Sequence, residues 1–210
     1  AIATSAAISA ALREDGSVVA WKNDRSGLAR LPAGLANVKA LALGRSHNLA
    51  LLEDGSIVSW GANDRGQSTT PFDLGTVKQV AIGMYHTAVL REDGSVLGWG
   101  GPDFGQLTTP TSLSKVNSIS VGCGRTLALQ EDGTVVEWGG SPSVLVPPIG
   151  LSGVKAIASG CGHNLALKND GTVVGWGGTY MSNTPPTGLS GVAAISASCN
   201  RSVALLGDGS

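Results

Sequence analysis

Three histidines and three cysteines are the residues of this chain best equipped for chemistry, and both sets recur at fixed places. His47, His86 and His163 each stand seven residues before the Asp of an Asp-Gly pair, and Arg125 and Arg201 take that place before two further pairs. Imidazoles ligate metals and shuttle protons, but a position filled by His or Arg alike reads as structural, hydrogen-bonding a nearby turn. Cys123, Cys161 and Cys199 are spaced 38 residues apart. Three thiolates at equivalent positions are the raw material of a disulfide or a soft-metal site. Sheets stacked face to face lie about 10 Å apart, however. A disulfide needs Cα atoms about 4.4–6.8 Å apart, and zinc holds sulfur at about 2.3 Å. Free thiols and no metal are therefore expected. The aspartates of the Asp-Gly pairs resemble a calcium loop only superficially, because Asp-Gly between strands is first a hairpin turn. No histidine, acid and nucleophile combine outside the repeated positions, so neither catalysis nor a cofactor is expected.

The frame that positions these residues is an internal repeat. Asp-Gly recurs at Asp15, Asp54, Asp93, Asp132, Asp170 and Asp208, at intervals of 39, 39, 39, 38 and 38 residues. Trp21, Trp60, Trp99, Trp138 and Trp176 each follow six residues later, and Pro32, Pro71, Pro110, Pro148 and Pro186 follow the Trp by ten or eleven. A tryptophan repeated at the end of one strand in every unit is a packing residue before it is a ligand platform.

Each unit reads as three strands. The first is of the Val38–Leu43 type, and the second is apolar on both faces, as in Leu49-Ala50-Leu51-Leu52, which implies burial between neighbouring sheets. The third is β-branched and ends in Trp, as in Ile57-Val58-Ser59-Trp60. Asp-Gly is expected to supply the positive φ angles of a two-residue hairpin joining the second and third strands. Gly, at 31 of 210 residues, and the Pro- and Thr-rich crossings fit loops, and no window sustains helical spacing. One small sheet cannot bury both its faces, but the same sheet repeated radially does. The fold expected is all-β, a β-propeller of short three-stranded antiparallel blades over 1–210, with units near 1–37, 38–76, 77–115, 116–153, 154–191 and a partial 192–210. A β-solenoid fits less well, because its coils need parallel strands.

Chain direction puts two variable loops per blade on one face, the turn after the first strand and the segment after the Trp. The Asp-Gly turns occupy the other face. Residues that escape the repeat there are the candidates for binding a partner: Arg45, Asp64, Arg65, Met84, Tyr85, Asp103 and Phe104. Arg, Tyr, Phe and Met are enriched where proteins bind proteins. The function expected is a protein-interaction scaffold. The alternative is a carbohydrate-binding propeller, which would use exposed aromatics in each blade.

Partner classes narrow further with charge. Lys and Arg total 14 against 15 Asp and Glu, for a net charge of −1 with no basic stripe, so nucleic acid is not an expected partner. No apolar run approaches the roughly 20 residues that span a bilayer. The chain opens on Ala1 and stops inside an Asp-Gly motif, as expected of a piece trimmed from something longer.

The run Leu90-Arg-Glu-Asp-Gly-Ser-Val-Leu-Gly-Trp-Gly100, followed by Phe104-Gly105-Gln106 and, in other units, by Gly-x-x-His, resembles the regulator-of-chromosome-condensation repeat over the whole chain. The short unit, with Gly66-Gln67-Ser68-Thr69-Thr70-Pro71, is similar to bacterial relatives such as the propeller-type β-lactamase inhibitory protein. The resemblance implies a seven-bladed ring, a protein-binding role and a secreted or cell-surface setting. Only Tyr85 is aromatic among the first set of rim loops, so the inhibitor's target does not carry over. First and second strands occur six times but the Trp strand five. The expectation is six blades with an incomplete last one, or an arc of a larger ring. An arc would be completed by further blades, a protein partner or a second copy of the chain.

Overall fold

The computed structural model describes residues 1–5, 8–21, 30–140, 146–178 and 184–210. Among them the chain forms 17 strands and no helix. Five consecutive sheets have three antiparallel strands: β1 (Ile2–Thr4), β2 (Ser9–Leu12) and β3 (Val18–Trp21); β4 (Val38–Leu43), β5 (His47–Leu52) and β6 (Ile57–Gly61); β7 (Val77–Ile82), β8 (His86–Arg91) and β9 (Val96–Gly100); β10 (Val116–Val121), β11 (Arg125–Gln130) and β12 (Val135–Gly139); β13 (Val154–Ser159), β14 (Asn164–Lys168) and β15 (Val173–Trp176). The sixth sheet pairs β16 (Val192–Ala197) with β17 (Ser202–Leu206).

The Asp-Gly turns depart from the expectation in one respect. The Leu52 N–H donates to the Ser56 carbonyl at 2.9 Å and the Gly55 N–H to the Leu52 carbonyl at 3.0 Å, so the loop holds three residues, Glu53-Asp54-Gly55. Only the glycine takes the left-handed region, at φ 83°, as in a type I turn closed by a glycine bulge. The aspartate's task is different. Asp54 Oδ1 accepts the Ser56 N–H at 2.9 Å and its hydroxyl at 2.6 Å. Asp93, Asp132 and Asp170 pin the corresponding backbone N–H in the same way.

Packing between sheets is directional. Leu49 and Leu51 of β5 cluster with Val77, Val89 and Trp99 of the following sheet, and Leu127 and Leu129 of β11 with Val154, Ala166 and Trp176. One face of each blade therefore supplies aliphatic side chains and the next blade meets them with its tryptophan. Each such leucine contributes about 1.5–3 kcal/mol by leaving water. The Trp99 indole N–H donates to the Gln67 carbonyl of the preceding unit at 3.1 Å, and Trp138 repeats the bond to Gln106 at 3.0 Å.

The two ends of the stack lack these partners. Leu49 and Leu51 are 0% and 1% exposed, whereas Val203 and Leu205 at the same repeat positions in β17 are 65% and 47% exposed. Trp21 is 51% exposed against 7% for Trp99. A closed six-bladed ring would bury these faces on each other; here both are open, as in an arc.

Candidate functional site

The first strand of every blade runs to one end of the stack and turns sharply there. In successive units Gly44, Gly83, Gly122 and Gly160 make this turn, each donating its N–H to the carbonyl three residues on at 2.8–3.0 Å. These glycines answer to close approach. A Cβ on Gly83 would lie 2.6 Å from the Gly122 carbonyl oxygen, one on Gly122 would lie 2.2 Å from that of Gly160, and one on Gly160 would lie 2.3 Å from that of Ser198. Backbone thus touches backbone from blade to blade. The residues that follow, Arg45, Met84, Cys123, Cys161 and Cys199, are brought into one row around a shallow opening of about 160 Å³. Replacing Gly122 by Ala should cost about 1–3 kcal/mol through this overpacking. Gly162→Ala, whose Cβ would meet nothing within 4 Å, should stay within about 0.5 kcal/mol of the parent; urea titration of the two variants measures the difference.

This geometry corrects the expectation of three free thiols. Cys123 and Cys161 form a disulfide across a Cα separation of 4.5 Å, and among the described residues Cys199 remains free, its Sγ 2.8 Å from that of Cys161. At these turns main chain meets main chain, and the glycines leave no side chain to hold the blades at the spacing of packed sheets. Glycine one residue ahead of each Cys123 and Cys161 was the signal available in the sequence.

The histidines serve the frame: their carbonyls close their own turns, and their rings reach the next blade. His47 Nε2 lies 2.9 Å from Thr87 Oγ1, His86 Nε2 3.3 Å from Thr126 Oγ1, and His163 Nε2 2.9 Å from Ser202 Oγ, so each ring ties its blade to the next. His47 and His86 are fully buried. Burial lowers both rings to a pKa of about 4, the neighbouring His47 adding to the effect at His86.

The loops after the tryptophans fold back onto the rim turns: the Ala62 N–H donates to the Ser46 carbonyl at 2.8 Å and Gly101 to Tyr85 at 2.7 Å. Buried Gln67 organises the first of these loops, accepting the Arg65 N–H at 2.8 Å and donating to Asp64 Oδ1 at 2.9 Å, and Gln106 organises the next through the Phe104 N–H at 2.7 Å. Asp64 is thereby committed within its own loop. The other candidates gather. Arg65 pairs with Asp103 of the next blade and stacks over the Tyr85 ring, 4.8 Å from its centroid. Phe104, 48% exposed, lies against Gly124, and Met84, Tyr85 and Phe104 line a second cleft with Cys123. Arg45 stands apart from this patch, on the wall of the central opening.

One polar group was not anticipated. Glu137 is buried between the fourth and fifth blades, accepting from Trp176 Nε1 at 3.1 Å and Asn164 Nδ2 at 3.0 Å, with Arg125 Nε 3.3 Å away. It receives the indole proton that loop carbonyls receive in the two preceding junctions. Burial raises its pKa, against the opposing pull of Trp176 and Arg125. The available signal was a Glu at the place held by Ser59 and Gly98, in a unit lacking the Gly-Gln of its predecessors.

The family described as regulator of chromosome condensation (RCC1) repeat matches residues 38–67 and 77–106. No match was found among curated protein sequences. In fold the chain is similar to the ectodomain of the Arabidopsis thaliana receptor kinase ACR4, with a TM-score of 0.79 and 19% identity over 97% of this chain and 73% of that one. It is also similar to Prp20p from Saccharomyces cerevisiae, with a TM-score of 0.76 and 20% identity over 97% and 67%. Yeast RCC1 (Prp20) bound to Kap60 matches with a TM-score of 0.77 and 20% identity over 99% and 68%.

Proposed function

We propose that this propeller of regulator-of-chromosome-condensation repeats is a scaffold that binds a protein through its rim face. The observation that carries the reading is the patch of Arg65, Tyr85, Asp103 and Phe104, in which residues from neighbouring blades that escape the repeat are gathered on a rigid frame. Aromatic and arginine side chains held in place by their neighbours lose little entropy on binding, which is what hot spots require. Prp20p is described as binding Gsp1p and histones, and yeast RCC1 as bound to Kap60, which supports a protein as the kind of partner. A sugar-binding role is less well supported, because Trp99, Trp138 and Trp176 are buried in the blade junctions. A net charge of −1 speaks against nucleic acid.

The test is a partner captured by photo-crosslinking from Phe104 and then titrated against variants. Alanine at Arg65, Tyr85 or Phe104 should weaken binding by about tenfold or more, as hot-spot truncations do. Alanine at Glu53, Glu92 or Glu131, beside the Asp-Gly turns of the opposite face, should leave it unchanged. Equal losses on both faces, or strong hits on a glycan array, would count against this reading.

A further inference from the structure

The sulfur row at the central opening borders the protein-binding patch through Cys123 and Cys161, but none of its sulfurs belongs to that patch. We propose that Cys123, Cys161 and Cys199, when reduced, form a three-thiolate site for a soft d10 cation, Cu(I) above all, and that the Cys123–Cys161 disulfide is its closed state.

The three sulfurs lie within 4.8 Å of one another on three successive turns. A cation bound at about 2.3 Å to each of three sulfurs sets them roughly 4 Å apart, so side-chain rotation on a fixed backbone suffices. The backbone is fixed, because the glycine before Cys123 and the glycine before Cys161 are each packed against the next blade's carbonyl. The donor set is all sulfur. His163, the nearest imidazole in sequence, bonds Ser202 through Nε2 and is not among the ligand groups clustered with the three sulfurs, and the next residue in the row is Met84, whose N–H bonds the Cys123 carbonyl at 3.3 Å. Thiolate and thioether donors favour Cu(I) over the oxygen-seeking ions, and Zn(II) would want a fourth strong ligand. Arg45, beyond Met84 on the same opening, supplies positive charge beside a site that carries −2 when Cu(I) is bound. Cys199 is exposed, which gives the cation a way in.

The steps balance. A dithiol reductant gives two electrons and two protons to the Cys123–Cys161 bond, leaves as its own disulfide and yields two thiols. The three thiols then lose three protons and form three Cu–S bonds, with copper remaining Cu(I). Oxidation of Cys123 and Cys161 by a small-molecule disulfide reverses both steps and expels the ion.

The test is anaerobic titration of the full chain with Cu(I) in competition with bicinchoninate, after reduction by a phosphine and again after oxidation. One equivalent should bind to the reduced chain alone, with X-ray absorption showing three sulfur neighbours. Cys199→Ser and Cys123→Ser should each weaken binding by at least about 100-fold, more than the loss of a mere supporting group. Circular dichroism of the variants establishes that they fold. Serine variants that fold and bind like the parent, equal binding by the oxidised chain, or a site that retains Zn(II) but not Cu(I) would each overturn the proposal.

Discussion

Acidification from pH 7 to pH 4 should remove stability on the order of 3 kcal/mol for each of His47 and His86. Both rings have a folded pKa of about 4, lowered by burial from 6.5. The unfolded chain therefore binds more protons than the folded one across this window. The contribution is fully present above pH 6.5 and is lost as the pH falls through 6.5 towards 4. The geometry gives the reason. An imidazolium carries two N–H donors, and while Nε2 meets a hydroxyl of the next blade, Nδ1 of each ring has no hydrogen-bond partner among the described residues. Glu137 works in the opposite direction, since a raised carboxyl pKa destabilises the fold as the pH rises past it. The turn aspartates, with pKa values lowered by the hydroxyl and N–H groups they accept, add a further loss that begins as the pH falls through the ordinary carboxylate range and continues below it. Urea midpoints measured from pH 7 to 4 check this expectation. A His47→Asn, His86→Asn double variant should show a much flatter profile over that window, and an unchanged slope would exclude the two rings as its source.

At tens of micromolar the chain should self-associate, with a mass by light scattering at least twice that of the monomer, and should bind hydrophobic dye when diluted. The open face of β17 offers Val203 and Leu205, and the open face of the first sheet offers Trp21 and Val19. These are the two complementary halves of the junction that joins every interior pair of blades. A head-to-tail contact between unlike faces follows, of the kind that yields rings or open chains. The same face would equally accept a further blade. Val203→Asp with Leu205→Asp should return the chain to a monomer and change its unfolding free energy by no more than about 0.5 kcal/mol, as expected of exposed positions. A strictly monomeric parent without dye binding would remove the basis for this expectation.

The repeat made the blades legible. Asp-Gly and Trp at fixed intervals place the second hairpin and the inter-blade junction in each unit, and the strands fall where the alternation of apolar residues puts them. The turn type was less legible, because Asp-Gly fits both a two-residue turn and a three-residue turn closed by glycine. The thiol cluster was hidden by taking the face-to-face spacing of sheets to hold at the rim turns, where glycine lets main chain touch main chain. Pairings such as Arg65 with Asp103 join residues one unit apart, and the sequence reports their common face but not which neighbours will touch. Glu137 was obscured for a related reason: its partners Trp176 and Asn164 belong to the following blade, and only its departure from Ser59 and Gly98 marked it.

The glycine row has an implication for how such a chain can acquire chemistry. Each of the second to sixth units brings the residue that follows this turn position to the mouth, and at Gly83, Gly122 and Gly160 the spacing is set by main chain against main chain. The row is thus a ruler with interchangeable marks: Arg, Met, Cys, Cys, Cys in this protein. A single-codon change per unit is enough to rewrite it as carboxylates, imidazoles or hydroxyls, with no hinge to retune and no core to repack.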